Sequence, residues 1–245
     1  MESIQKVRQL SKDKLDILLS DEALTLLQKY EALLVQFSQQ MNLTAIKDHE
    51  GIWFRHYLDC LSIIPFLTNV STLLDIGTGA GFPGLVIAIV CPNIQVTLLD
   101  ATAKKIAYLN KVIEELQLTN VTALCGRAEE LGHSSNFREF FDCATTRAVS
   151  SFRTVAEISS GLVKVGGKVV LMRGPLGAAE ADENGDFLEM LGFSIPRADE
   201  FTNPITNVKT FTVIITKSRP LKTRLPRSWA KMVAQSDKNR RNDNN

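Results

Sequence analysis

The sequence predicts an α/β fold: a mostly parallel sheet covered by helices on both faces, with an antiparallel edge and an N-terminal helical extension. Three observations predict it. Apolar strand-like runs alternate with helical stretches from Ser71 onward, the pattern of strands joined by crossover helices. The first run, Thr72-Leu-Leu-Asp-Ile76, enters a glycine-dense turn, Gly77-Thr-Gly-Ala-Gly-Phe-Pro-Gly84, and then an apolar helix. Upstream of Ser71 the apolar spacing is helical only. With 245 residues and 44% hydrophobic content, the chain can bury one substantial core. The expected divisions are a helical extension over 1–70, a sheet domain over 71–217, and a basic, partly disordered tail over 218–245.

Each element has its own signal. From Asp21 to Met41, Ala23, Leu24, Leu27, Tyr30, Leu34 and Phe37 repeat at helical spacing, and Ser20 is suited to cap the helix. A second helix is expected from about Glu50 to Ile64, with Trp53, His56, Tyr57 and Cys60 on one side. In the sheet domain, strand 72–76 leads to a helix at Leu85–Val90. Strand Gln95–Asp100 leads to a helix from Ala103 to Gln117. Strand Val121–Cys125 leads to Gly126-Arg-Ala-Glu-Glu130, and a fourth strand from Phe141 to Thr145 leads into Arg147. A helix from Phe152 to Leu162 precedes a Gly166-Gly167 turn and a buried strand ending at Met172. A helix from Ala178 to Leu191 follows, and Phe193-Ser-Ile195 with Lys209–Thr216 form the expected antiparallel pair.

Composition narrows the function. No apolar run approaches a membrane span and the start, Met1-Glu-Ser-Ile-Gln-Lys6, has no apolar signal core, so a cytoplasmic enzyme is expected. Cys60, Cys91, Cys125 and Cys143 show no C-x-x-C spacing and read as reduced core thiols; His49, His56 and His133 form no ligand set, so no metal is expected. Net charge is only +1, but the segment from Lys217 to Asn245 carries +7 and leaves −6 for the rest. A concentrated basic end on an acidic protein points to a polyanionic partner, because phosphate contacts release counterions. The bland alternative is a solvated tail.

Gly77, Gly79 and Gly81 let the backbone take positive φ and approach a small molecule, while the helix start beyond them offers free amides. A second strand ending in Asp100 completes a nucleotide-ribose arrangement, and the two residues that follow, Ala101 and Thr102, belong with it. Two enzyme classes use this arrangement. Dinucleotide dehydrogenases need G-x-G-x-x-G to seat a pyrophosphate; here the spacing is G-x-G-x-G, and Asp75 stands just before the loop. A carboxylate there repels a pyrophosphate but suits the cationic end of S-adenosylmethionine, so the sulfonium cofactor is favoured. Ala128 and Glu129, after the third strand, are placed to address an adenine edge, and Arg147 stands where the transferred group is expected.

The residues Asn42-Leu-Thr44, Arg55-His56 with Asp59, Asp75 through Gly84, Leu98-Leu-Asp100, Lys104-Lys105, Arg127-Ala-Glu129 and Arg147-Ala148 together resemble the bacterial small-subunit ribosomal RNA guanine-N7 methyltransferase family, also called glucose-inhibited division protein B. The resemblance runs from about Gln28 to Lys217. It implies a class I, Rossmann-like S-adenosylmethionine-dependent methyltransferase sheet with an N-terminal helical extension, acting on one guanosine of 16S ribosomal RNA. It places cofactor contacts on Gly77, Phe82, Ala128, Glu129 and Arg147. Two departures stand out: Met172-Arg173-Gly174 occupies a stretch where the family usually shows Lys before the glycine, and Ser228-Trp-Ala-Lys-Met-Val233 replaces a Gly/Pro/Lys-rich tail.

A guanine ring nitrogen as acceptor agrees with what the chain lacks. N7 carries an available lone pair at neutral pH, so displacement on a sulfonium methyl needs positioning and desolvation rather than a base. The chain shows Thr145-Thr-Arg147-Ala-Val149 after the fourth strand, with neither the Asn/Asp-Pro-Pro-aromatic loop of amine methylation nor the Pro-Cys of pyrimidine-C5 methylation. No proton-transfer residue is therefore assigned, and Arg147, Arg173 and His56 are positioning candidates. RNA contact is expected from Arg55, His56, Arg173, Lys217, Arg219, Lys222, Arg224 and Arg227. The expected partner is 16S ribosomal RNA or a 30S assembly intermediate, met by a monomer. The rival readings are a nicotinamide-dependent dehydrogenase and a non-catalytic RNA-binding assembly factor.

Overall fold

The computed structural model describes residues 2–232 and 234. It opens with a helix that the sequence pattern does not predict, α1 (Glu2–Leu15), followed by α2 (Asp21–Ser38). Ser20 caps α2 as expected, its hydroxyl accepting from the Ala23 N–H at 3.0 Å. The second expected helix is continuous but uneven: α3 (His49–Gly51) widens into a π-helical stretch at Ile52–Tyr57 and returns to α geometry as α4 (Leu58–Leu61). Such a widening re-aims the side chains it carries and is common at functional sites. Arg55 and His56 sit in it.

The sheet domain follows as β1 (Thr72–Ile76), α5 (Gly84–Val90), β2 (Gln95–Asp100), α6 (Ala103–Glu115), β3 (Val121–Cys125), α7 (Ala128–Leu131), β4 (Phe141–Arg147), α8 (Phe152–Ser160) and β5 (Val163–Arg173). It ends with two short helices, α9 (Gly177–Asp182) and α10 (Gly185–Met190), in place of the single expected helix, then β6 (Arg197–Thr202) and β7 (Lys209–Thr216). The strand order is β3-β2-β1-β4-β5-β7-β6. The pairings among β1 to β5 are parallel, and β7 runs antiparallel between β5 and β6. The order reverses between β1 and β4, and in open α/β sheets ligands bind at the carboxyl ends of strands beside such a reversal.

One expected strand is misplaced. Phe193 makes only a single bridge to Lys217, and β7 pairs instead with β6, whose sequence Arg-Ala-Asp-Glu-Phe-Thr is half charged. A polar strand is what a solvent-facing sheet edge tolerates, so hydrophobicity pointed to the wrong segment. Phe193, buried at 2% exposure, belongs to the core instead.

The sheet separates two cores. Leu73, Val96 and Leu98 face a core shared with Leu27, Tyr30, Leu34, Trp53 and Tyr57 of the helical extension. Leu74, Leu99, Val169 and Leu171, the alternate residues, face a second core with Val155, Ile158, Leu188 and Phe193. Leu221, Leu225 and Met232 are also in that second core, so the described part of the expected tail is packed against the sheet domain. Lys238, Arg240 and Arg241 lie outside the described residues.

Candidate functional site

The glycine loop is held from below by Asp75, which is fully buried. Its Oδ2 accepts from the Thr78 hydroxyl at 2.6 Å and the Gly84 N–H at 2.9 Å. The loop is also tied to β2: the Gly77 and Thr78 N–H groups both donate to Leu99 O, at 2.8 and 3.0 Å. Gly77 and Gly79 have φ of 68° and 60°, a left-handed conformation that side chains disfavour. At Gly77 there is also no room, since a Cβ would stand 2.7 Å from Val149 Cγ2. Burial pushes the Asp75 carboxyl up to about 6 despite these donors. Its Oδ1 is buried without a partner among the described residues.

Asp100 is the second anchor. Its Oδ2 accepts from the Gly79 N–H at 3.1 Å and from Lys105 Nζ at 3.2 Å, and its Oδ1 from the Thr102 N–H at 2.9 Å. Burial alone would raise its pKa, but the Thr102 and Lys105 donors outweigh it and hold the carboxyl below its ordinary value. The carboxylate is therefore ionised and aimed. A carboxylate offers about four lone-pair sites; these donors take three, and the Thr102 side chain also hydrogen-bonds the carboxylate.

Around these anchors lies a cleft lined by Gly77, Asp100, Ala101 and the run Gly126 to Glu129, with Ile76, Leu99, Val149, Ile158 and Trp229 as apolar walls. α7 begins at Ala128 on one wall, so first-turn amides without intrahelical acceptors are available there. Glu129 is buried at 7% exposure. Apolar walls with a few convergent polar groups are what a purine nucleoside requires.

The remaining expected site residues form a second cluster beyond the loop. Phe82 is not a wall of the cleft; its ring stacks on His56 with centroids 4.5 Å apart and packs against Tyr30 at 5.5 Å. Arg147 lies over the same ring at 5.9 Å, donates to Arg55 O at 3.0 Å and stands 4.0 Å from Asp59. Thr44 joins His56 through its hydroxyl, 2.8 Å from Nε2, which brings the Asn42-Leu-Thr44 and Arg55-His56 motifs together. Burial, then Arg147 and Arg55, lower the His56 pKa to about 3. Arg147 also borders a second cleft with Asp59, Ser62, Met172, Arg173 and Phe211.

Several expected RNA contacts are engaged internally. Lys217 is buried at 1% exposure, donates to Ser160 O and pairs with Glu139 Oε1 at 2.9 Å, so it is not a phosphate-binding group. Arg227 holds Glu157, whereas Arg219 stays exposed in a surface pair with Glu189. Arg173 grips both carboxylate oxygens of Glu180 at 2.8 and 2.9 Å and donates to Ser150 O, which neutralises its charge and props the loop after β4. For Lys217 and Arg227 the reason is the same: counting charge along the chain does not register the acids that folding brings opposite from distant segments. Arg55, Arg219, Lys222 and Arg224 remain exposed. The thiol expectation also needs adjustment, since Cys60 and Cys143 are buried but Cys125 on β3 is exposed. Among the described residues no group of His, Cys, Asp and Glu is arranged to hold a metal.

Sequence reasoning missed Lys105 as the partner of Asp100, Asn203 and Trp229. Asn203 donates to Phe54 O at 2.6 Å and Asp59 Oδ1 at 3.0 Å, fastening the turn between β6 and β7 to the π-helical stretch. No sequence signal marks that contact.

The GidB family model, described as rRNA small subunit methyltransferase G, matches residues 23–205. The chain belongs to the GidB family. Its relatives include the ribosomal RNA small subunit methyltransferase G of Acetivibrio thermocellus, 38% identical over 214 residues, which are 87% of this chain and 88% of that protein. That of Exiguobacterium sibiricum is 37% identical over 229 residues, 93% of this chain and 95% of that protein. Among solved structures, the O-methyltransferase from Bacillus cereus in complex with SAH is similar with a TM-score of 0.55 at 18% identity, over 87% of this chain and 100% of that one. The fold is thus that of class I methyltransferases, and the glycine loop, Asp100 and Arg147 lie within the residues that the GidB model matches. Trp229 lies beyond the residues that the GidB model matches.

Proposed function

We infer that the protein is an S-adenosylmethionine-dependent methyltransferase acting on N7 of a guanosine in 16S ribosomal RNA. The observation that carries this reading is the cleft itself: in a GidB-family chain, the glycine loop, an ionised Asp100 and the start of α7 converge on a space fit for a purine nucleoside. The residues fit the cofactor. The carboxylate of Asp100 lines the cleft and suits a ribose hydroxyl, Ala128 and Glu129 stand at the purine end, and the unpartnered Asp75 Oδ1 suits a cationic amine. When bound, S-adenosylmethionine supplies an electrophilic methyl group on a sulfonium centre.

The protein's part is to orient and to exclude water. His56, neutral at physiological pH, is not an acid there; buried and stacked on Phe82, it supports the chain beside Arg147. A guanine N7 acceptor needs positioning and no proton transfer. Arg55, Arg219, Lys222 and Arg224 are the exposed cations that support phosphate contact. No helix is long and apolar enough to cross a membrane among the described residues. We take the protein to act in the cytoplasm, as a monomer working on the small subunit or its assembly intermediate.

The test is to incubate the protein with methyl-labelled S-adenosylmethionine and small subunits from cells lacking it, then map the modified nucleotide. Label at a guanosine where borohydride and aniline treatment cleaves the RNA chain supports N7. Cofactor and RNA binding without transferred label supports the non-catalytic assembly factor.

A further inference from the structure

Trp229 is a wall of the cleft that contains Gly77, Asp100 and Ala128, although it comes from beyond the last strand of the sheet. Its position is fixed by a set of partly buried polar contacts. Arg138 donates through Nη1 to Gly132 O and Leu225 O, at 2.6 and 3.0 Å, and through Nη2 to Leu221 O and Lys222 O, both at 3.2 Å. His133 Nε2 lies 2.7 Å from Pro226 O. Two residues before the indole, the Arg227 N–H and Nε both reach Glu157 Oε1 at 2.8 Å. Leu225 and Met232 are buried on either side of Trp229 in sequence. The backbone carrying the indole is thus latched to the residues just after α7, to α8 and to the turn before β4, and the indole, partly buried, faces a cleft whose other apolar walls are aliphatic.

We propose that Trp229 is an adenine-contacting residue of the cofactor site and that the C-terminal arm, latched by Arg138 and Glu157, is part of that site. The proposal rests on the reading of the cleft as the S-adenosylmethionine site. An indole is a sequence-tolerant stacking surface for a purine, and its removal by alanine substitution ordinarily weakens a stacked base by about five- to a hundredfold.

The chain has two tryptophans, and Trp53 is fully buried in the helical extension, which makes fluorescence a local probe. S-adenosylhomocysteine and 5′-methylthioadenosine, which share the adenosine but not the amino-acid end, are titrated by calorimetry and by tryptophan emission into wild type, Trp229→Phe and Trp229→Ala. The expected result is a change of emission in wild type that is lost in Trp229→Phe. Affinity falls about fivefold or more for both ligands in Trp229→Ala and is largely kept in Trp229→Phe, with the melting temperature checked for each. Unchanged affinity in folded Trp229→Ala, or the same emission change in Trp229→Phe, overturns the proposal while leaving the cleft assignment standing. Failure of wild type to bind either ligand overturns the cleft assignment and the proposal with it.

Discussion

Arg227 and Glu157 stand 70 residues apart in the chain, yet Arg227 Nε lies 2.8 Å from Glu157 Oε1, and the carboxylate side chain is 1% exposed. This pair holds the C-terminal arm against α8. The guanidinium and the Arg227 N–H both face this buried carboxylate.

Arg227→Ala is therefore expected to cost more than an ordinary surface substitution, about 3–5 kcal/mol, because it leaves a buried carboxylate without its partner. Chemical denaturation of the variant measures this directly. A decrease below about 1 kcal/mol would show that the pair does not anchor the arm. The double variant Arg227→Met with Glu157→Met should recover much of the stability, since it removes both charges together.

Lys217 and the exposed cations of the arm separate into two effects. Lys217→Met removes a buried ammonium from Glu139 and Ser160 O and should lower stability by about 1–3 kcal/mol while leaving the salt dependence of RNA binding unchanged. Lys222→Ala with Arg224→Ala should do the reverse, reducing the slope of log affinity against log salt by about 0.9 for each duplex-like phosphate that the protein no longer neutralises. Filter binding over a salt series, beside thermal melts, distinguishes them. Deletion after Thr216 is a poor test, because it removes Leu221, Leu225 and Met232 from the second core.

Gly79→Val places a branched side chain at φ 60° in the loop whose N–H holds Asp100. Open space surrounds the position of the added Cβ, so the expected damage is backbone strain and obstruction rather than a clash within the protein. Calorimetry should show S-adenosylmethionine binding weakened more than about tenfold in a folded variant. Unchanged affinity would remove the loop from the site.

Asp100→Ala is expected to lower cofactor binding by about 1.5–3 kcal/mol, the range for hydrogen bonds to a charged group, with turnover at saturating cofactor much less affected. The structure adds a contribution to that decrease, since the same carboxylate steadies the Gly79 and Thr102 amides. Asp100→Asn keeps one acceptor and should be less damaging. Equal affinity with collapsed turnover would contradict a binding role.

His56 sets a pH dependence whose sign follows from its lowered pKa. In the unfolded chain the imidazole titrates near 6.5, and in the folded protein near 3, so acid favours the unfolded state between those values. The stability it contributes is present above about pH 6.5 and is lost as pH falls toward 3. His56→Gln should flatten that part of the stability curve, and the His56 imidazole resonances of folded wild type should not titrate between about pH 5 and 8. A midpoint near 6.5 would mean that the ring is solvated and the stacking on Phe82 absent.

The sequence alone determined the elements whose reasons are local. The strand run Thr72–Ile76, the glycines of the following turn and the acid ending β2 were legible because each is dictated by neighbours a few positions away. Ser20 as a cap was legible for the same reason. α1 was not, since its sequence is mostly polar and its few apolar residues gain their meaning from the helical extension they pack on. Only the tertiary structure decided which charges are available. Lys217 and Arg227 carry the same charge as Lys222 and Arg224, but the first two are held by Glu139 and Glu157 from distant parts of the chain. It also decided that Phe82 joins His56 and Arg147 instead of the cleft, and that Trp229 joins the cleft instead of a loose tail. A charge or a ring acts on whatever lies within a few ångströms of it, and contacts such as Arg227 with Glu157 and Asn203 with Phe54 join residues 70 or more apart in the chain, beyond the reach of any local pattern.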